Sequence, residues 1–387
     1  MNLYIACALV ALTSAAIAAE PTTPTGFVVG KKLSIRSSVL GEDRPLQIFI
    51  PENYESAKSS YPTLPVLYLL DGSDHFTHVT GLIDYFAKDG RILPMIVVAV
   101  GNTDRTRDFT PTRCMIDGFG KSNEDQTTSG GAGKFVEFLR SELIPYVDSN
   151  YRTAPFRILF GHSLGGLFAV KVMMENPDMF QAYFAVSPSL WWDHQMMLKS
   201  SGPIGHAKQF LFISVADEGG NHQASINRFV AQIKKRAAPG FAWKFKTYHD
   251  EGHMSVPHTS LYDGLKFLFS RWTMLDGSVD AGPPTYSQIA KYYRELSDKF
   301  GYNIPLPLAR INDIAAGYAD FHRIDEAIAV SQEAVKQYTE SASAYEVLAD
   351  NYTKKGDKPS AIKNYEAALK LDPKSEAAKK GLEKLKK

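Results

Sequence analysis

Hydrophobic and polar positions along this chain change rhythm once, near residue 275. Between residues 25 and 272, short apolar runs alternate with stretches of helical period. Leu46–Pro51, Pro65–Gly72, Pro94–Asn102, Phe156–Ser163, Ala182–Pro188, Phe210–Glu218 and Ala242–Asp250 read as strands. Several are apolar throughout rather than alternating, the pattern of a parallel sheet covered on both faces. Lys134–Ile144, Leu167–Met174 and Ser225–Lys235 read as helices between them. The alternation predicts an α/β fold with a mostly parallel central sheet. A linker rich in Gly, Pro and Ser follows, covering residues 273–285. Beyond it, residues 286–387 are helical in period.

That last stretch repeats itself at an interval of 34: Ala315 is matched by Ala349, Tyr318 by Tyr352, Ala327 by Ala361 and Ala334 by Ala368. Large, small and breaker positions of the second copy (Tyr345, Leu348, Ala349, Tyr365, Pro373) follow the tetratricopeptide pattern, in which small alanines let paired helices approach. The first copy, Leu308–Ser341, is weaker, and Tyr286–Gly301 is read as a further helix completing the stack. A small all-α, TPR-like domain is expected. It offers either a groove for a protein partner or a stabilising cap, with the cap preferred.

At the other end, residues 1–19 are almost wholly apolar and close on Ala16-Ile17-Ala18, a small-residue cleavage pattern, although no Lys or Arg stands near Met1. They are read as a secretory signal peptide, which implies a periplasmic or secreted protein. No other stretch is long and apolar enough to span a membrane. With Cys7 removed, Cys114 is the one remaining cysteine and no intrachain disulfide can form. A net charge of +1 gives no global attraction to nucleic acid or anionic membrane.

The chemistry concentrates at Gly161-His162-Ser163-Leu164-Gly165. This G-x-S-x-G follows an apolar strand and precedes a helical run, the setting of a nucleophile elbow. Glycines permit the sharp turn that lifts Ser163 clear of the sheet, and the Leu164 N–H at the helix start can face an oxyanion. Serine needs a base and the base an orienting acid, in chain order Ser, acid, His. His253 is the candidate base, in a loop after the strand ending at Tyr248. His162 adjoins the serine but is read as pointing elsewhere. Glu218 and Asp217 both follow the preceding strand. Glu218 is preferred because the adjacent Gly-Gly lets the loop aim it, with Asp217 as the alternative. Gly72 or Ser73, after the strand Leu67–Leu70, is the candidate second oxyanion donor. No metal-binding, Walker or dinucleotide motif stands out, so no metal and no cofactor are inferred.

On Tyr61–Phe76, Pro94–Arg113, Phe138–Thr153, Ile158–Val170, Ser187–Asp193 and Gly252–Phe269, the chain resembles an esterase family of α/β-hydrolases. This family includes siderophore esterases, feruloyl esterases, S-formylglutathione hydrolases and mycolyltransferases. The resemblance implies an α/β-hydrolase fold over residues 25–272 and a serine esterase with Ser163 and His253 as nucleophile and base. In the most similar branch, periplasmic enzymes cut esters of iron-chelating trilactones. Arg105 and Arg107 could pair with an anionic substrate, and Trp191 and Trp192 could stack on a ring. Each has a plainer alternative: internal Arg–Asp pairs, and tryptophans that cap the core. The expectation is an exported serine esterase acting on a small-molecule ester. Acyl transfer to an alcohol, or a non-catalytic scaffold recruiting partners through the repeats, are the alternatives.

Overall fold

The computed structural model describes residues 26, 28–52, 54, 61–118, 120–270 and 284–386. The segment read as a signal peptide, Cys7 with it, and most of the linker lie outside the described residues.

Eight strands form one sheet: β1 (Lys31–Ser37), β2 (Glu42–Phe49), β3 (Leu64–Leu69), β4 (Ile96–Val100), β5 (Thr153–His162), β6 (Ala182–Val186), β7 (Phe210–Ala216) and β8 (Ala242–Tyr248). Their order is β1-β2-β4-β3-β5-β6-β7-β8. β1 and β2 pair antiparallel, as do β2 and β4; every other pairing is parallel. All seven expected strands are present as β2–β8. β1 is additional: its "KKLSIRS" alternates polar and apolar positions at the sheet's edge, where lysines discourage pairing with another chain. In contrast, β3, β4, β6 and β7 are buried at every position, which is why they read as unbroken apolar runs.

The helices are α1 (Gly72–Lys88), α2 (Arg105–Phe109), α3 (Ala132–Phe138), α4 (Ile144–Asn150), α5 (Leu164–Glu175), the irregular turn α6 (Trp192–Gln195), α7 (Gly220–Arg236) and α8 (Val256–Leu268). A π-helical turn, Leu139–Leu143, joins α3 to α4. One sheet face carries Phe156, Ile158, Phe160, Phe184 and Phe212 against α1 and α8. The opposite face packs Leu159, Tyr183, Leu211 and Ile213 against α3, α5 and α7. The sheet therefore has helices on both sides, in the α/β-hydrolase arrangement.

Six helices follow: α9 (Tyr286–Phe300), α10 (Leu308–Asp320), α11 (Ile324–Gln337), α12 (Ala342–Lys355), α13 (Lys358–Leu371) and α14 (Glu376–Lys386). Consecutive members from α10 to α14 pack on one another, through alanines such as Ala327, Ala349, Ala361 and Ala368 that are fully buried. The apolar core of α9–α11 and the start of α12 is continuous with that of the sheet, while Ala349, Ala361, Tyr365, Ala368 and Ala378 form a separate small cluster. Phe300 stacks on Phe156 at 4.2 Å and meets Phe269 edge-on at 5.2 Å. Lys299 lies over the Phe210 ring and bonds the Leu268 carbonyl. Phe156 and Phe210 stand at the starts of β5 and β7. The helical region thus seats on the N-terminal ends of the strands, away from the loops at their C-terminal ends. Among the described residues, no helix is long and apolar enough to cross a membrane.

Candidate active site

β5 ends at His162 and α5 begins at Leu164, so a single residue, Ser163, makes the turn between them. Its backbone stands at φ 59°, ψ −117°, a conformation that a side chain adopts only under tertiary constraint. The constraint is visible. Ser163 N–H donates to Val186 O at 3.0 Å, and Ser163 O accepts from Leu167 and Ser189, each at 3.0 Å. Gly161 is obligatory here: a Cβ would lie 2.1 Å from Gly165 O. A Cβ on Gly166 would lie 2.9 Å from Pro188 Cα, so the elbow is also tight against the loop after β6. Ser163 Oγ has Ser189 Oγ at 3.4 Å.

The loop after β3 reaches the same place. Asp71 takes a left-handed conformation (φ 53°) and starts α1. Gly72 and Ser73 then hold the first amides of that helix, as Leu164 does in α5, and first-turn N–H groups have no partner within the helix. Gly72 packs on β4 so closely that a Cβ would lie 2.9 Å from Ala99. The buried Asp71 carboxylate comes to the start of α5, where a Cβ on Gly165 would lie 3.3 Å from its Oδ2.

After β7 the chain turns at Glu218, whose N–H donates to Ala216 O at 3.0 Å, and then passes Gly219 and Gly220, both at positive φ. This turn aims Glu218 at His253: its Oε1 bonds His253 Nδ1. Asp217 is exposed, its amide bonded to Glu251 O, and its side chain does not join this group. Glu218 Oε2 accepts from Ser187 Oγ at 3.0 Å and lies 3.1 Å from His222 Nε2. Burial opposes the charge on Glu218, but His222 and His253 outweigh it and hold the carboxyl far below the usual range. Glu218 is therefore ionised and keeps the His253 ring oriented with a proton on Nδ1.

Several candidates find other partners. Arg105 forks onto Asp71 through Nε at 2.7 Å and Nη2 at 3.0 Å, and Nη2 also reaches His162 O at 3.2 Å. Arg107 bonds Asp108 at 2.8 Å and Glu42 at 2.8 Å, and holds the Glu42 carboxyl down at about 2. Both charges are answered inside the protein, in the internal pairing given above as the alternative to an anionic substrate. Trp192 is fully buried with its indole N–H on Thr112, so it is a core side chain and not a pocket wall. Trp191 is part-exposed, 5.7 Å from Trp192, with Gly118 close against its ring. Cys114 is a buried free thiol.

Sequence reasoning missed the histidines around His253. His162 does not point away: its ring packs 4.5 Å from His253, with His75 at 5.7 Å on its other side. Burial, with His253 next, pushes the His162 imidazole down to about 3, so it is neutral. Strand alternation contained the signal, because His162 shares its sheet face with Phe156, Ile158 and Phe160, the face that α1 and α8 cover.

A family model described as "Putative esterase" matches residues 37–237. The chain belongs to this esterase family. Among relatives, it is 28% identical over 272 residues to the ferri-bacillibactin esterase BesA of Bacillus subtilis, covering 63% of this chain and 92% of that protein. It is 26% identical over 279 residues to the siderophore triacetylfusarinine C esterase of Aspergillus fumigatus, covering 60% and 90%. Among solved structures, an IroE-like serine hydrolase from Shewanella oneidensis superposes with a TM-score of 0.68 at 27% identity, covering 80% of this chain and 99% of that one. The chain is an esterase-family hydrolase.

Proposed function

We propose that this esterase cleaves carboxylic esters through a serine nucleophile, and that its substrates are siderophore or related aromatic acyl esters. The observation that carries the mechanism is the Glu218–His253 bond beside the Ser163 elbow. Ser163 Oγ attacks the ester carbonyl while His253 Nε2 takes its proton. Glu218 stabilises the imidazolium that results, without itself becoming protonated. The N–H groups of Leu164 and of Gly72 or Ser73 meet the developing oxyanion. His253 returns the proton to the leaving alcohol, and water, activated by the same base, frees the acid from the acyl-enzyme. Ser163 and His253 reach bonding distance as substrate enters, since such contacts often tighten only in the complex.

The substrate class is supported by the likeness to the ferri-bacillibactin esterase BesA and the siderophore triacetylfusarinine C esterase. Trp191 supplies the aromatic wall. Export is proposed from residues 1–19, and the helical region is proposed as a cap rather than a substrate-binding domain. Hydrolysis of catecholate trilactones, feruloyl sugars and short acyl esters, by wild type and Ser163→Ala, tests the reading. Trilactone cleavage by wild type alone is expected. Failure on all three classes, or equal rates for the variant, overturns it.

A further inference from the structure

Glu218 has an imidazole beside each of its two carboxylate oxygens, and only one of them belongs to the base. His253 holds Oε1, while His222 Nε2 lies 3.1 Å from Oε2. The two imidazole rings stand perpendicular, 5.4 Å apart, so each approaches its own oxygen. His222 is the third residue of α7, and its position is fixed by that helix. Its other nitrogen, Nδ1, receives the indole N–H of Trp191 at 3.1 Å. Indole is a donor only, so Nδ1 must present a lone pair, and the neutral ring carries its proton on Nε2, facing the carboxylate.

We propose that His222 is a positioning residue for the reaction, a tautomer-locked donor that Trp191 sets and that holds the Glu218 carboxylate in the orientation His253 requires. The proposal rests on the esterase reading above. Burial gives it force: the Glu218 side chain is 9% exposed and that of His222 18%, so solvent is a poor substitute on Oε2. In this structure His222 Nε2 stands within range of Oε2 but without the alignment of a formed hydrogen bond, as catalytic hydrogen bonds often do before substrate arrives. Ser187 shares the same oxygen, and its own hydroxyl is anchored by the Ala216 N–H at 3.3 Å. By ligand count, Glu218, His222 and His253 also suit a zinc-type cation. Trp191 argues against that use, because a ligating histidine turns its second nitrogen to an acceptor, and here it meets a donor.

The test combines turnover of p-nitrophenyl acetate with nitrogen NMR of histidine-labelled full-length protein. His222→Phe, which cannot donate, is expected to lower kcat about 10- to 100-fold, the worth of one hydrogen bond to a charged group, with KM nearly constant. His222→Gln restores an N–H donor and is expected to recover most of that loss. The NMR spectrum should show His222 as the Nε2–H tautomer in wild type and a tautomer mixture in Trp191→Phe. Wild-type kcat in His222→Phe, equal losses in the Phe and Gln variants, or an Nδ1–H tautomer in wild type would each overturn the proposal. Ser163→Ala serves as the control: if it keeps turnover, the esterase reading falls first and this proposal with it.

Discussion

Glu218 and Asp217 are adjacent acidic residues, yet only one can orient His253. The choice is made by backbone, not by chemistry. β7 closes at Ala216, the turn back to the Ala216 carbonyl swings Glu218 inward, and Gly219 and Gly220 take the positive φ values that follow. Glu218→Gln keeps the shape but loses the charge, and kcat should fall about 10³- to 10⁴-fold, as when a triad acid is neutralised. Asp217→Asn should stay within about twofold of wild type, the usual fate of an exposed side chain with no such partner. Steady-state kinetics on one ester checks both. Ser163 and His253 stand out as candidates in the sequence because a motif in a strand–helix context and a fixed chain order both point to them. The acid was narrowed to two neighbours, since turn geometry two residues past a strand has no periodic signature. Arg107 bonds its neighbour Asp108, an Arg–Asp pair open to sequence reading, but Asp71 and Glu42 lie far away in sequence, and only folding brings them to Arg105 and Arg107.

At the scale of elements, the site is a meeting of strand ends. Arg105, the first residue of α2, ties the loop after β3 to the last carbonyl of β5 through Asp71 and His162 O. It thereby aligns the amides at the start of α1 with the amide of Leu164. Arg105→Lys keeps a charge but not the fork, so kcat for an uncharged short ester should fall about tenfold with KM little changed, the loss of a hydrogen bond made to a charged group. A rise in KM confined to anionic substrates would instead return Arg105 to substrate binding. Gly161→Ala tests the elbow: its methyl meets backbone 2.1 Å away, and thermal unfolding should show a loss of more than about 3 kcal/mol. The buried strands were readable from apolar runs. β1 was not, because an edge strand alternates and half of its signal is polar. α1 was hidden too, since Asp71-Gly72-Ser73 reads equally well as a β-turn, and only its packing on β4 makes it a helix start.

For the molecule as a whole, two ends of one sheet do different work. The loops that carry Asp71, Ser163, Glu218 and His253 gather at the C-terminal ends of β3, β5, β7 and β8, and the helical region seats on the opposite end. Phe300→Ala should therefore destabilise the protein by about 3–5 kcal/mol, as for a large buried aromatic, while folded enzyme keeps its kcat. Lys299 adds a pH signature. Burial holds its amine down at about 8, against 10.5 when unfolded, so the unfolded chain binds the proton more tightly between those values. Its contribution to stability thus rises with pH from about 8 to 10.5, and Lys299→Met should be more stable than wild type at pH 7, with the gap closing by pH 10. Denaturant melts at the two pH values measure this.

The central claim, that one serine at the β5–α5 elbow forms the acyl-enzyme, is tested most directly by trapping it. A fluorophosphonate should add a single mass to the wild-type protein, located by peptide mass spectrometry at Ser163. Ser163→Ala should stay unlabelled and inactive, and Glu218→Gln should label far more slowly. Labelling at another residue, or undiminished ester turnover in Ser163→Ala, would contradict the account.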